Sequence, residues 1–321
     1  MRVVMTGMGG ELGSRVTQLL EARADVESLV GIDIDPPRRR LTRADFHRID
    51  PRDRRRIAGV VRDADPTVVV HLGVFEPHAR LGPGTARSAT SANSLAVLGA
   101  ASECPSLERL VVRSGIEVYG RRRGTATRPD ELVPPQPTSA FGASLLHVEA
   151  LAASAGAGAG VPVTSLRFAP LVGPHFPSPL GRYLRLPVVP VSGLSDLPFA
   201  LLHQEDAASA IVAAIDRGPD GPVNVVAPGA VTASQAVRLG GRIPLPVVGP
   251  GWILARVAAE VFGAPLPDHV QELLTRGRVA DGGRAERVLG VSPQRSTPEV
   301  VKELFDWASV VYLPVIEGRA A

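Results

Sequence analysis

The segment TGMGGELG, from Thr6 to Gly13, constrains the fold more than any other part of this sequence. It follows an apolar run from Val3 to Met5 that has the length of a buried strand, and an amphipathic stretch begins at Glu11. A strand, three glycines at a spacing of three residues and the start of a helix form the turn that receives a dinucleotide pyrophosphate. We therefore predict a dinucleotide-binding turn at residues 6–13, with a purely structural turn as the alternative.

The residue types in this turn have distinct physical roles. Gly7 permits the tight turn, Gly10 lets the backbone approach the phosphates, and Gly13 lets the helix pack closely on the sheet. The helix start, at Glu11 and Leu12, supplies free N–H groups and the positive end of the helix dipole. These five residues are predicted to bind the cofactor.

The residue that reads the adenosine ribose is predicted to be Asp33. It closes the second strand pattern twenty positions after Gly13, where an acidic side chain accepts hydrogen bonds from ribose hydroxyls. Its charge would repel a 2′-phosphate, which favours NAD. The arginines from Arg38 to Arg40 could instead bind that phosphate, so NADP stays open as the alternative.

Strand-length apolar runs alternate with amphipathic helical stretches through the first half of the chain. This alternation is typical of a parallel sheet covered by helices on both faces. We predict an α/β fold, a doubly wound parallel sheet of the Rossmann type, over residues 1–170. The predicted strands are Arg2 to Thr6, Ser28 to Asp33, Thr67 to Leu72, Arg109 to Ser114 and Val161 to Phe168; the predicted helices are Glu11 to Ala22, Arg54 to Arg62, Thr85 to Ser102 and Ser139 to Ala155.

Residues 171–321 are richer in proline and less regular, and we predict a small C-terminal substrate lobe there. Within it, residues 198–227 are expected to return to the main sheet as a strand from Phe199 to Gln204, a helix from Glu205 to Arg217 and a strand from Val223 to Val226. A final amphipathic helix is predicted from Thr297 to Tyr312.

Composition excludes several classes of protein. Cys104 is the sole cysteine, which excludes an internal disulfide, and the first residues do not resemble a signal peptide. The formal charge is +3, and the arginine clusters form no single stripe, so a nucleic-acid partner is not expected. The apolar stretch from Gly249 to Pro267 contains Arg256 and Glu260, which predicts an amphipathic core helix and no membrane contact. We expect a cytoplasmic protein without a metal site.

Several motifs, in this order, resemble the extended short-chain dehydrogenase/reductase family, the NAD-dependent sugar epimerases and dehydratases. Besides the glycine turn they are Asp50-Pro51-Arg52-Asp53, the strand end Val68 to Gly73, Asn93, Ser114 to Gly120, Leu166 to Pro174 and His203 to Asp206. The resemblance implies an NAD cofactor, a nucleotide-sugar or other small-molecule substrate and a possible homodimer. It also places Asp50 at the adenine and Pro51, Leu72 and Gly73 beside the cofactor.

The chain departs from this family at the catalytic centre. The family uses a Tyr-x-x-x-Lys pair and a nearby serine or threonine, with the tyrosinate accepting the substrate proton and the lysine lowering the tyrosine pKa. Phe141 stands at the tyrosine position, Leu145 at the lysine position and Gly115 at the hydroxyl position. Tyr119 with Arg123 is the nearest substitute pair, but arginine is a poorer partner for tuning a tyrosine.

Two weaker candidates for chemistry remain. Glu117 stands where dehydratases of this family carry a catalytic glutamate, and the hydroxyl of Ser114 could bind a substrate oxygen. Two hypotheses follow: an NAD-binding protein without catalysis that acts as a sensor or scaffold, or a divergent enzyme that uses groups such as Glu117.

Other polar side chains have structural explanations that compete with functional ones. His71 is predicted to be a hydrogen-bonded core residue, His203 a structural residue, and His147 to point away from the site. The resemblance places three arginines near a substrate diphosphate, with structural roles as the alternative: Arg167, Arg182 and Arg185.

Overall fold

A computed structural model describes residues 1–78, 81–122, 124–174 and 176–306. Its strands are β1 Arg2–Thr6, β2 Ser28–Asp33, β3 Asp45–Arg48, β4 Val68–His71, β5 Arg109–Gly115, β6 Val163–Phe168, β7 Leu171–Val172, β8 Val188–Ser192, β9 Leu202–His203, β10 Gly221–Val225 and β11 Ile243–Val247. Its α-helices are α1 Glu11–Glu21, α2 Arg54–Ala64, α3 Pro83–Ala101, α4 Ala140–Ala159, α5 Pro179–Leu184, α6 Gln204–Arg217, α7 Ala233–Leu239, α8 Gly251–Val261, α9 Asp268–Arg276, α10 Gly283–Leu289 and α11 Thr297–Asp306.

A seven-stranded sheet in the order β10-β6-β5-β4-β1-β2-β3 forms the centre of the molecule, and all its strand pairs are parallel. The chain runs outwards from β1 to β3, then crosses back to β4 on the other side of β1. In doubly wound sheets, ligands bind beside the carboxyl ends of the strands where the strand order reverses. The predicted fold class is confirmed, and the reversal lies between β1 and β4.

The apolar core has two parts. One lies between the central sheet and its helices and includes Val4, Val69 and Val111 on neighbouring strands. The other lies in the C-terminal lobe, around Tyr183 and Phe199. Helix α10 belongs to the first core, so the chain returns to the sheet once more after residues 198–227.

Several elements differ from the sequence prediction. Strand β3 was not predicted, because three of its four residues are polar or charged and it lies at the sheet edge. The predicted strand from Phe199 to Gln204 is reduced to β9, which pairs with β7 and not with the central sheet. Of the predicted last helix, residues 297–306 form α11, and residues 307–312 lie outside the described part.

Helix α8 is not the core helix that its periodicity predicts. Ala255 and Ala259 are buried, but the large side chains of Leu254 and Val261 are 74% and 78% exposed. The prediction is wrong because the buried face of this helix is made of alanines. Within the described residues, α4 alone has the length and apolarity of a membrane span, and it packs on β5 and beside α3.

Candidate functional site: a cofactor cleft and an inner pocket

The glycine turn is built as its sequence predicts. Gly7 has a φ of +78°, the left-handed conformation that favours glycine, and a Cβ on Gly13 would collide with the carbonyl oxygen of Gly7. Gly10 differs, because a Cβ there would meet no described atom closer than 3.4 Å. The missing side chain of Gly10 therefore leaves open space at the start of α1, as a phosphate-binding turn requires.

This turn forms one wall of a cleft of about 500 Å³, which we call the cofactor cleft. Glu11 and Leu12 also line it; both are buried, and Glu11 pairs with Arg39 at 3.1 Å. Most of the predicted cofactor residues share this cleft, namely Gly7, Gly10, Glu11, Leu12, Gly13, Asp33, Pro51, Leu72 and Gly73.

Asp33 lies at the end of β2, facing the glycine turn. Its Oδ2 accepts a hydrogen bond from the N–H of Gly9 at 2.9 Å, and its Oδ1 accepts one from Ile34 at 2.6 Å. Burial raises the pKa of Asp33, although the backbone donors act in the opposite direction. Arg39 donates hydrogen bonds to Glu11 and Gln18. Of the arginines predicted as alternative ligands of a 2′-phosphate, Arg38 is the one that lines this cleft.

Asp50 is the exception among the predicted cofactor residues. Its side chain is exposed, and its Oδ1 accepts a hydrogen bond from the N–H of Arg52 at 2.8 Å. The cleft wall at this point is formed by Ile49 and Pro51. The carboxylate of Asp50 therefore shapes the turn before α2 and does not line the cleft.

The floor of the cleft is held by uncharged hydrogen bonds at the end of β4. The Nδ1 and Nε2 atoms of His71 lie 2.7 Å from Thr6 Oγ1 and 2.8 Å from Ser94 Oγ. Burial lowers the pKa of His71 to about 4, so the imidazole is neutral at physiological pH. A Cβ on Gly73 would collide with Asn93, whose amide donates to the Gly73 carbonyl. The predicted core role of His71 is confirmed.

A second, smaller cavity of about 40 Å³, the inner pocket, adjoins the cofactor cleft. Glu76 and Arg113 line both cavities. The remaining polar side chains of the inner pocket are Ser114, Glu117, Ser178, His269 and Arg278, and its apolar side chains include Phe141, Leu145, Phe168 and Leu273. A ligand in the inner pocket would therefore lie beside the end of a dinucleotide bound in the cleft.

The three positions at which the sequence predicts the loss of catalytic residues meet in this pocket. Phe141 and Leu145 lie one turn apart on α4, and both are buried. A Cβ on Gly115 would collide with the Glu117 carboxylate and would lie 3.1 Å from Leu145 Cδ1. The space of a family serine or threonine side chain is therefore taken by Glu117 and Leu145.

Glu117 is held by an arginine that sequence reasoning missed. Its Oε1 lies 3.5 Å from Nη1 of Arg278, whose Nη2 also donates to Glu272 at 2.7 Å. Arg278 is 2% exposed, and its Nε and Nη1 have no hydrogen-bond partner among the described residues. Glu117 is thus a buried carboxylate in the pocket, as a catalytic role would require, but it is already paired.

His269 is the second residue that the sequence did not reveal. It lies in the first turn of α9, and its Nε2 is 2.9 Å from Oε1 of Glu76. Its ring centroid is 4.7 Å from that of Phe141, with the two planes tilted by 40°. An imidazole and a carboxylate therefore stand beside the position where the family carries its tyrosine.

Ser114, the other predicted catalytic residue, takes part in a structural network behind the pocket. Its hydroxyl donates to Glu149 at 2.5 Å, and Glu149 is paired with Arg167. Arg167 also donates to the hydroxyl of Tyr119 at 2.9 Å, and Tyr119 in turn donates to Asn224. Burial raises the pKa of Tyr119, which opposes a proton-accepting role.

Arg167 is therefore a structural residue and is not placed to bind a diphosphate. Arg182 and Arg185 instead line a shallow recess that shares Glu11 and Arg38 with the cofactor cleft. Arg185 donates to the carbonyl oxygens of Pro174 and Leu304. Of the predicted diphosphate group, only Arg182 and Arg185 remain beside a ligand cavity.

His147 and His203 lie as the sequence predicts. His147 is exposed on α4, 3.5 Å from Ser91 Oγ, and does not line the inner pocket. His203 caps α6 by accepting a hydrogen bond from the N–H of Glu205. The described residues contain no group of three or more histidine, cysteine, aspartate or glutamate side chains that could hold a metal ion.

The fold and the cofactor cleft define a dinucleotide-binding protein of the short-chain dehydrogenase/reductase type. Residues 3–227 match the NAD dependent epimerase/dehydratase family, and the chain belongs to this family. The resemblance predicted from the motifs is thereby confirmed. The family is NAD-dependent, which agrees with the predicted cofactor.

An uncharacterised protein of Mycobacterium tuberculosis is 31% identical over 312 residues, which are 94% of this chain and 83% of the relative. Among solved structures, a UDP-glucose 4-epimerase of Thermotoga maritima, solved with UDP-glucose, matches with a TM-score of 0.75 and 18% identity. A UDP-glucuronic acid 4-epimerase of Bacillus cereus, solved with NAD, matches with a TM-score of 0.72 and 18% identity. Each match covers 96% of this chain and 98% of the other. These similarities show a shared fold.

Proposed function

We propose that this protein binds NAD in the cofactor cleft and oxidises a hydroxyl group of a nucleotide sugar in the inner pocket, by a route that needs no tyrosine. The observation that carries this proposal is the junction of the two cavities at Glu76 and Arg113. A substrate hydroxyl in the inner pocket would meet the cofactor there, among ionisable side chains.

The cofactor cleft fits a dinucleotide along its length. The open space at Gly10 and the start of α1 suit the pyrophosphate, and the carboxylate of Asp33 suits the adenosine ribose. The carboxylate of Asp33 would repel the 2′-phosphate of NADP, so NAD is favoured over NADP. NAD supplies a hydride acceptor when it is bound.

The substrate class is supported by the fold and by the arrangement of cavities. Two structures with the same fold are of epimerases that act on UDP-sugars. In this chain the inner pocket adjoins the cofactor cleft at Glu76 and Arg113, and Arg182 and Arg185 line the recess beside that cleft as candidates for the diphosphate.

The family's own acid–base route is not available here. Phe141 has no hydroxyl group, and Leu145 cannot lower a neighbouring pKa. A positioned acid–base group typically contributes about 10² to 10⁴-fold to a rate. Any reaction at the family's ordinary rates therefore requires another proton acceptor in the pocket.

A second candidate function is an NAD-binding sensor or scaffold without catalysis. One observation favours it: the Glu117 carboxylate occupies the space beside Gly115 and is held there by Arg278. In that case the inner pocket would be a stable packing arrangement, and no substrate would turn over.

Calorimetric titration with NAD, followed by single-turnover measurement of NADH absorbance with UDP-glucose or UDP-glucuronic acid, tests both candidates. We expect saturable NAD binding that is weakened about 100-fold in Gly10→Val, because the new side chain enters the phosphate space. Gly59→Val is the matched control, since a Cβ at Gly59 meets nothing within 4 Å. Failure to bind NAD would overturn the proposal, whereas binding without NADH formation would select the sensor.

A further inference from the structure

We infer that His269, oriented by Glu76, is the residue that accepts the substrate proton in the inner pocket. This inference rests on the proposed function and adds to it the identity of the proton acceptor. It replaces the sequence hypothesis that Glu117 has this role.

The placement of His269 is the first argument. It is 5% exposed, it lines the inner pocket, and its ring packs against Phe141 at 4.7 Å. Phe141 occupies the position at which the family carries its proton-accepting tyrosine. The imidazole of His269 is thus a titratable ring beside the position where Phe141 stands and the family carries a tyrosine.

The partner of His269 is the second argument. Burial acts to raise the pKa of Glu76, but the hydrogen bond and charge of His269 and the charge of Arg113 lower it overall. An ionised Glu76 accepts a hydrogen bond from Nε2–H of His269 and thereby fixes this tautomer. The lone pair then lies on Nδ1, which has no hydrogen-bond partner among the described residues.

Glu76 also links the imidazole to the cofactor, because it lines both cavities. A carboxylate that holds an imidazole in one tautomer and stabilises its protonated form is the orienting group of a proton-accepting pair. We therefore assign Glu76 as a positioning residue.

The alternative acceptor, Glu117, is less suited to the task. Arg278 lies 3.5 Å from the Glu117 carboxylate and is 2% exposed. A proton accepted by Glu117 would therefore leave this buried guanidinium with less neutralising charge. A proton accepted by His269 instead creates an imidazolium that faces the ionised Glu76, so that the new charge is neutralised. The charged groups around His269 are Glu76 after β4, Arg113 on β5, Glu117 before Tyr119, Arg278 after α9, and Asp268 and Glu272 on its own helix.

The step balances as a two-electron oxidation. The substrate O–H bond breaks and its proton passes to Nδ1 of His269, while the carbon–hydrogen bond of the same carbinol breaks and its electron pair leaves with the hydrogen as hydride. A carbonyl forms on the substrate, and NAD is the oxidant. The protonated imidazole remains paired with Glu76 and can return the proton when the carbonyl is reduced.

Single-turnover NADH formation in the NAD-loaded protein with UDP-glucose or UDP-glucuronic acid tests the assignment. We expect His269→Gln to lower this rate at least about 100-fold while NAD affinity changes less than about threefold. Glu76→Gln should lower it by a smaller factor. The control is His147→Gln, an exposed histidine outside the pocket, which should leave the rate unchanged.

A second measurement does not depend on activity. Nitrogen NMR of the imidazole in the protein without ligand should show the Nε2–H tautomer at His269. The Nδ1–H tautomer would overturn the inference, as would a normal rate in His269→Gln or a loss of rate in Glu117→Gln alone. A wild type that binds NAD without forming NADH would also overturn it and leave NAD binding intact, whereas absence of NAD binding would be the failure of the proposed function.

Discussion

The cofactor cleft and the inner pocket lie side by side, yet they have diverged from the family to different extents. The cleft has the glycine turn, Asp33 at the predicted ribose position and a neutral, hydrogen-bonded floor at His71. The inner pocket has Phe141 and Leu145 at the predicted positions of the acid–base pair, with charged side chains from distant parts of the chain around them. On the function proposed above, cofactor binding and proton transfer would be specified by separate sets of residues.

The changes in the inner pocket are mutually consistent. The missing side chain of Gly115 makes room for the carboxylate of Glu117 and for Leu145, and Arg278 neutralises that carboxylate. Such consistency is what a pocket adapted to another arrangement of groups would show, since a buried carboxylate without room or partner would be costly.

Restoring the family's residues in the inner pocket is expected to have the largest effect on stability. We expect Leu145→Lys, alone or with Phe141→Tyr, to lower the free energy of unfolding by roughly 3–5 kcal/mol, because Leu145 is 1% exposed and the new ammonium would be buried. Urea unfolding measures this loss, and Leu145→Met is the control, at less than about 1.5 kcal/mol. A stable double variant with strong new epimerase activity would show that the pocket still suits the family's chemistry.

The neutral floor of the cofactor cleft predicts a pH dependence of stability. The pKa of His71 is about 4 in the folded protein against an ordinary 6.5, so the unfolded chain takes up a proton first as the pH falls. Stability from this residue is fully present above about pH 6.5 and is lost as the pH falls through 4, by about 3 kcal/mol. Thermal or urea unfolding across this range measures the loss.

Removing the ionisable group isolates that contribution. His71→Gln is expected to be less stable at neutral pH, because the hydrogen bonds to Thr6 and Ser94 change, but its stability should fall less steeply between pH 6.5 and 4. An unchanged slope in this variant would refute the role of His71, and the exposed His147→Gln serves as the reference.

The smallest effect should come from the contact between Gly115 and Glu117. Gly115→Ser adds a side chain that collides with the Glu117 carboxylate, which can move because it ends a flexible side chain. We expect a loss of about 1–2 kcal/mol in the free energy of unfolding for this change. A double-mutant cycle with Glu117→Ala should show coupling of about 1 kcal/mol, and additive effects would refute the shared space.

The parts of the fold and site that the sequence predicts are those set by local rules. The glycine turn, the helix that follows it and Asp33 are close in sequence, and the cofactor requires each of them at a fixed spacing. Strand β3 was missed because its charged residues show no apolar alternation, and α8 was misjudged because periodicity does not show whether a helix face is covered.

Local sequence rules of this kind could not predict the chemistry of the inner pocket. His269 and Glu76 are separated by 193 residues, and no spacing links them. Arg278 follows α9 in a stretch without a recognisable motif. The sequence gives one indirect signal, the missing tyrosine at Phe141, which indicates that another acid–base group has to be sought without showing where it lies.

The most direct test of this account is a crystal structure of the protein soaked with NAD. We predict the pyrophosphate at Gly10, the adenosine ribose at Asp33, and the nicotinamide at the junction lined by Glu76 and Arg113, with His269 and Phe141 in the pocket beyond it. Absence of the cofactor from the cleft, or a nicotinamide directed away from the inner pocket, would contradict the central claim that the cleft presents NAD to a rebuilt proton-transfer site.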